Sequence, residues 1–173
     1  GYGHDDRVCS YPAAMASFAV ESPEKTTLTV LTDKEEIGSE GNTGLQSAYM
    51  VNFIKDIAKA AGTDAYIVLR NSQCLSADVN AAHDPTFADV TEKNNAAFIN
   101  KGVVITKYTG SRGKSGTSDA NAEYMGFIRK LLNDNNVVWQ TGELGKVDAG
   151  GGGTVAMYIA NLDVDTVDLG VPV

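Results

Sequence analysis

Apolar segments of two different periods alternate along this chain, and that alternation constrains its fold more than any other feature. Residues 26–32 (TTLTVLT), 65–69 (AYIVL), 73–77, 103–108, 137–139 and 167–173 are short, β-branched or apolar runs and read as strands. Between them lie segments with helical spacing. In 44–61, Leu45, Tyr49, Phe53, Ile54 and Ile57 share one face, and Gly62 is a natural stop. Tyr124, Phe127, Ile128, Leu131 and Leu132 make a second apolar stripe, on a helix opened by Ser118 or Asp119. A first helix, 8–20, is opened by Asp5 and Asp6 with Pro12 near its first turn, and a last one spans 154–162 behind a glycine tract. Strands alternating with helices predict one α/β domain over 1–173, a three-layer α/β/α arrangement around a mixed, largely parallel sheet. The polar stretch 79–101 is the least regular part, and 109–118 (TGSRGKSGTS) reads as a mobile or ligand-facing loop.

The charge balance removes several function classes. A net charge of −8 argues against nucleic acid, whose phosphates require clustered Lys and Arg. The one basic cluster holds only Lys107, Arg112 and Lys114 and reads as a solvated loop. No apolar run approaches the ~20 residues of a membrane span. The first residues are polar, unlike a secretion signal, and Cys9 and Cys74 are too few for a disulfide framework. These features fit free thiols in a reducing compartment, which places the expected location in the cytoplasm. The missing initiator Met hints at a fragment or a processed product.

Chemistry enters with the carboxylates, because ligands of open α/β sheets bind beyond the carboxyl ends of strands. Glu35 and Glu36 follow the expected strand 26–32, Asp78 follows 73–77, and Asp5 stands where a first helix begins. Acids gathered at one rim with few bases should bind a cation. Each also has a plainer reading: Asp5-Asp6 as a helix cap, Glu35-Glu36 as a solvated loop. Asp78 is harder to dismiss, since an acid at a buried strand end needs a partner. His83 is a lone histidine in a polar loop, and His4 adjoins Asp5 but on an extended chain would point away from it, so neither takes a role. The tract Gly150–Gly153 lacks the Lys-Ser/Thr of a phosphate loop and reads better as a place where the backbone approaches a substrate or metal closely.

Read together, His4-Asp5-Asp6-Arg7-Val8-Cys9, Asp33-Lys34-Glu35-Glu36-Ile37-Gly38-Ser39 and Ser76-Ala77-Asp78-Val79-Asn80 resemble the three acidic motifs of the aspartyl aminopeptidase/aminopeptidase I metallopeptidases, bacterial branch. The tail from Gly145 to Thr154 resembles the same family, so the likeness covers nearly the whole chain. It implies a phosphorylase/hydrolase-like zinc-peptidase domain, of which this chain is the C-terminal part of the catalytic region. It implies that Asp5 bridges two zinc ions, that Glu36 and Asp78 each bind one, and that Glu35 is the general base. Lys107, Gly151 and Gly152 resemble positions lining the substrate pocket, with Lys107 a candidate to receive an acidic side chain.

The resemblance further implies two zinc ions per site, replaceable by Co or Mn, peptide substrates, and homo-oligomeric assembly of the intact protein. Two histidine ligands of the family are expected outside this chain, one upstream and one just beyond Val173. The fragment alone is therefore expected to bind zinc weakly and hydrolyse little. The competing readings are a non-catalytic α/β module and a magnesium enzyme using the same carboxylates, whose oxygens suit a hard ion.

Overall fold

The computed structural model describes all residues, Gly1–Val173. Four strands form the central sheet: β1 (Gln73–Ser76), β2 (Val103–Thr106), β5 (Trp139–Thr141) and β6 (Asp165–Gly170). Their order is β1-β6-β2-β5. β1 runs parallel to β6 and β2 parallel to β5, while β2 and β6 are antiparallel. The fold is thus mixed α/β with a largely parallel sheet, as the sequence led us to expect. A second ribbon, β3 (Tyr108–Ser111) with β4 (Ser115–Asp119), is antiparallel and stands apart from the main sheet.

Helix α4 (Ala122–Asp134) supplies the core. Tyr124, Ile128 and Leu132, one helical turn apart, are buried with Met125 against Ile105 of β2 and Val167 of β6. Phe127 and Leu131, counted in the same stripe from sequence, remain half exposed. The cap of this helix is neither Ser118 nor Asp119 but Asn121, whose Oδ1 accepts the amide of Tyr124 at 2.7 Å. Asn is the better cap because its short side chain reaches back to the third amide of the first turn, and Ser118 and Asp119 are already committed to β4.

Four other expectations change. Residues 65–69 are not a strand but helix α3 (Ala65–Arg70), packed against α2 (Tyr49–Ala60). A five-residue apolar run cannot reveal its period, and Asp64, whose carbonyl accepts the amides of Ile67 and Val68, starts a helical turn. Residues 26–32 form no strand: they pair with no other strand, and Leu28, Val30 and Leu31 are exposed. The loop foreseen at 109–118 is instead the β3–β4 hairpin, because Thr and Ser suit strands and the turn needs only positive φ at Arg112 and Gly113. Pro12, expected at a first turn, lies inside α1 (His4–Ala19), since this helix starts earlier and kinks at Asp5, where ψ is 114°.

Two elements begin later than expected. Helix α2 opens at Tyr49 rather than residue 44, since Gly44 sits against the backbone of Ser39, where a Cβ would come within 2.1 Å of the Ser39 carbonyl oxygen. The last helix, α5, is the short segment Ala156–Ala160. No helix is long and apolar enough to cross a membrane.

Candidate metal centre

Three chain segments deliver acids to one end of the sheet. Asp78 lies two residues beyond β1 and is half buried, with the amide of Val79 turned toward its carboxylate. Its backbone is pressed against β6: a Cβ on Gly170 would fall 1.5 Å from the Asp78 carbonyl oxygen, so this close approach requires glycine. Glu35 and Glu36 open a single 3-10 turn, Glu35–Ile37, framed by left-handed backbone at Lys34 and Gly38. The Ser39 amide closes that turn on the Lys34 carbonyl at 2.8 Å, and Ser39 is buried. Asp5 occupies the non-helical kink at the start of α1, joined to Asp6 by a cis peptide bond.

The electrostatics show which of these acids sense one another. Burial pushes the Glu35 carboxyl up to about 7, and the negative charges of Asp78, Glu36, Asp5 and Asp6 add to the effect. Asp78 is pushed up to about 6, first by burial and then by Asp5, with Asp6 and Glu36 contributing. Asp6 is raised by burial and by Asp5. The buried thiol of Cys9 rises to about 11 through burial and the same acids, Asp78 foremost. Five carboxylates therefore share one field. None takes part in an ion pair: the three salt bridges of the structure join Lys107 to Asp119, Lys114 to Asp148 and Lys130 to Asp134.

Crowded acids without basic partners fit a cation, whose charge would reverse the upward pressure on Glu35, Asp78 and Asp6. The donors are all hard oxygens. As they stand, however, no three His, Cys, Asp or Glu side chains close into a set able to hold one metal ion. Neither histidine approaches the acids in a ligand role. His83 Nδ1 is hydrogen-bonded to Thr91 Oγ1 at 3.0 Å and its ring packs on Phe98, while His4 is exposed.

Beside Glu35 opens a cavity of about 270 Å³, between the 3-10 turn, the tip of the β3–β4 hairpin and the segment leading into α5. Gly153 and Thr154 contribute to its wall. Gly151 and Gly152 lie against other groups: a Cβ on Gly151 would meet the Gly110 carbonyl oxygen at 2.4 Å, and the Gly152 carbonyl accepts the Gly110 amide at 2.8 Å. The close backbone approach foreseen here toward a substrate or metal is, for Gly151 and Gly152, an approach to the hairpin instead. Lys107 sits at the other end of the hairpin, paired with Asp119.

Asp168 was not singled out from sequence. It lies in the middle of β6, is 5% exposed, and is pushed up to about 7 chiefly by burial. Its Oδ2 accepts the Thr154 hydroxyl at 3.0 Å, and Ser76 is its cross-strand partner on β1. An acid between Val167 and Leu169 carries the same signal that drew attention to Asp78, an ionisable group where only apolar ones are comfortable.

The profile of the aminopeptidase I zinc metalloprotease (M18) family matches residues 1–173. The chain belongs to the M18 family. Among curated M18 relatives, it is 49% identical over 175 residues to a probable M18 family aminopeptidase 1 of Clostridium acetobutylicum, covering 99% of this chain. It is 44% identical over 174 residues to the corresponding protein of Thermotoga maritima, covering 98% of this chain. It spans 38% of the length of each. The crystal structure of the M18 aminopeptidase from Thermotoga maritima superposes with a TM-score of 0.89 at 43% identity, over 97% of this chain and 38% of that one. Aminopeptidase I from Clostridium acetobutylicum gives 0.89 at 48%, over 99% and 38%. A dodecamer of yeast mApe1 gives 0.70 at 25%, over 95% and 37%. As an M18 chain it comes from a family of zinc metalloproteases, so zinc is the metal to test against these carboxylates.

Proposed function

We propose that the intact protein is a zinc-dependent aminopeptidase, and that residues 1–173 form a single domain, the C-terminal part of its catalytic region. One observation carries the reading: five carboxylates from three distant segments share a field and none is neutralised by a basic side chain. In this reading Asp5, Glu36 and Asp78 would hold two zinc ions, with Glu36 and Asp78 each serving one and Asp5 shared between them. When bound, zinc would supply polarisation of the scissile carbonyl and acidify a water toward a pKa of about 7.

Glu35 is then the general base. A carboxyl that burial and like charges lift to about 7 can both accept and return a proton near neutral pH. It takes a proton from the attacking water and hands it to the leaving amine. Glu35 lines the cavity while its neighbour Glu36 does not, which suits one to proton transfer and the other to ligation. Asp78, anchored through its backbone against Gly170, offers a carboxylate that cannot drift from the sheet edge.

The substrates are peptides, cleaved one residue at a time from the amino end. Other divalent ions such as cobalt or manganese substitute for zinc, and the intact protein assembles into a homo-oligomer, a reading supported by likeness to the yeast mApe1 dodecamer. The test is hydrolysis of aminoacyl peptides by the intact protein. Activity lost on chelation and restored by zinc supports the assignment; activity indifferent to chelator overturns it.

A further inference from the structure

Asp168 is the one deeply buried acid of the chain, and the proposed reaction leaves it without a task. It stands in a row across the sheet, with Ser76 of β1 on one side and Thr106 of β2 on the other. Both neighbours are buried, as is Asn80, whose side-chain nitrogen donates to Thr106 Oγ1 at 2.8 Å. Between Val167 and Leu169 an aliphatic side chain would serve the core at less cost than a carboxyl.

What Asp168 holds is Thr154. The four glycines before Thr154 have no side chain to anchor them, and their backbone is given to the hairpin. The carbonyls of Gly150 and Gly152 accept the amides of Arg112 and Gly110, each at 2.8 Å. Thr154 then turns to the sheet: its buried hydroxyl donates to Asp168 Oδ2 at 3.0 Å and accepts the Ala156 amide at 3.3 Å. One hydroxyl thus fastens to β6 and starts α5, a five-residue helix too short to persist without a fixed end.

From α5 the path continues to Glu35. The Tyr158 hydroxyl accepts Gln46 Nε2, and the same nitrogen donates to the carbonyl of Gly38. Gly38 closes the Glu35 turn, its amide on the Glu35 carbonyl at 3.2 Å. The same strand also sets Asp78, since Gly170, two residues beyond Asp168, lies against the Asp78 carbonyl. Strand β6 is therefore a common reference for Glu35 and Asp78.

We propose that Asp168 is a positioning residue for Glu35: through Thr154 it fixes the start of α5, and through Tyr158 and Gln46 the turn that carries the base. The inference rests on the peptidase reading of Glu35. A general base works only within hydrogen-bond reach of the water it deprotonates, and a displacement of about 1 Å can cost about a hundredfold in rate. Thr154 needs an acceptor at position 168, not a charge.

The experiment compares the zinc-loaded intact protein with its Thr154→Val/Asp168→Leu double variant. Replacing both partners of a buried hydrogen bond by apolar groups orphans neither, so the melting temperature should hold or rise. Turnover should nonetheless fall by about tenfold or more, with KM changed by less than about twofold and zinc content as in the wild type. Hydrogen exchange at the Gly38 and Ser39 amides, read without substrate, should accelerate severalfold. Adding Gln46→Ala should cost little more, because both changes act on one path. Thr154→Ser should recover most of the kcat lost in Thr154→Val, and Asp168→Asn most of that lost in Asp168→Ala. These pairs decide the matter if the double variant does not fold: equal kcat within each pair overturns the proposal. Wild-type kcat and exchange in the double variant overturn it too, as does a Gln46→Ala loss that adds in full. Zinc lost along with turnover places Asp168 with the metal ligands and overturns its role toward Glu35. A wild-type protein that hydrolyses no peptide sinks the peptidase reading itself, whereas normal turnover in the double variant sinks this inference alone.

Discussion

Gln46 donates a hydrogen bond to the hydroxyl of Tyr158 at 3.1 Å, across 112 positions of sequence. The same amide nitrogen also donates to the carbonyl of Gly38 at 2.7 Å. Gln46 therefore ties the loop carrying Glu35 to the helix that forms the opposite wall of the cavity. Both bonds are exposed, so each contributes at the lower end of the usual 0.5–1.5 kcal/mol. Gln46→Ala, which removes both, is expected to lower the melting temperature slightly and to reduce kcat of the intact enzyme severalfold. Tyr158→Phe, which removes one, should do less. Steady-state kinetics on one substrate checks the order of the two variants.

The adjacent glutamates should separate by function. Glu35→Ala is expected to retain metal while turnover falls by about 10²–10⁴, the contribution of a general base. Glu36→Ala should lose metal and, with it, activity. Metal analysis of the two purified variants, alongside kcat, decides the assignment; the reverse pattern means the roles are exchanged.

Stability of the metal-free chain should depend on pH in a defined direction. Asp78, Glu35 and Asp168 have folded values of about 6, 7 and 7, against unfolded values of 3.8, 4.5 and 3.8. Such groups bind more protons when folded than when unfolded, so their contribution is fully present below the unfolded values and is lost as pH rises through the folded ones. The melting temperature without metal should fall between pH 5 and pH 8. Added zinc should recover more of it at pH 8 than at pH 5, because a dication favours the ionised acids. Asp168→Asn, which keeps an acceptor for Thr154, should flatten the profile and raise the melting temperature at pH 8, by about 2–4 °C for each kcal/mol regained. Scanning calorimetry across this range tests all three statements.

Gly170 offers a purely steric test of the site. Its missing Cβ leaves room for the Asp78 carbonyl, so Gly170→Ala must displace Asp78 or β6. A loss of about 1–3 kcal/mol is expected from the overlap, together with weaker zinc binding by the intact protein. Unchanged zinc affinity would separate Asp78 from the metal.

Much of this was legible in the sequence where local pattern and tertiary demand agree. Residues 73–78 read correctly as a strand delivering an acid, and the spacing of Tyr124, Ile128 and Leu132 marked the helix that covers the sheet. Where they part, the sequence misleads. The run 65–69 has a strand's composition, but Asp64 starts a helical turn. Residues 26–32 have the propensity for a strand but belong to no sheet, and propensity without pairing does not make a strand. The hairpin 108–119 was hidden by its Ser and Gly content, since its stability comes from backbone pairing rather than from apolar alternation. Within the site, Asp5, Glu35, Glu36 and Asp78 stood out through their motifs. The Gln46–Tyr158 tie did not, because proximity between distant loops leaves no local trace. Asp168 could have been found by asking why an acid interrupts β6.

The most direct test of the central claim is zinc content, by elemental analysis, of the intact protein and of its Asp5→Asn variant. The account expects two zinc ions per chain in the wild type and loss of both in the variant, since one carboxylate would bridge them. Two ions retained after Asp5→Asn would contradict it.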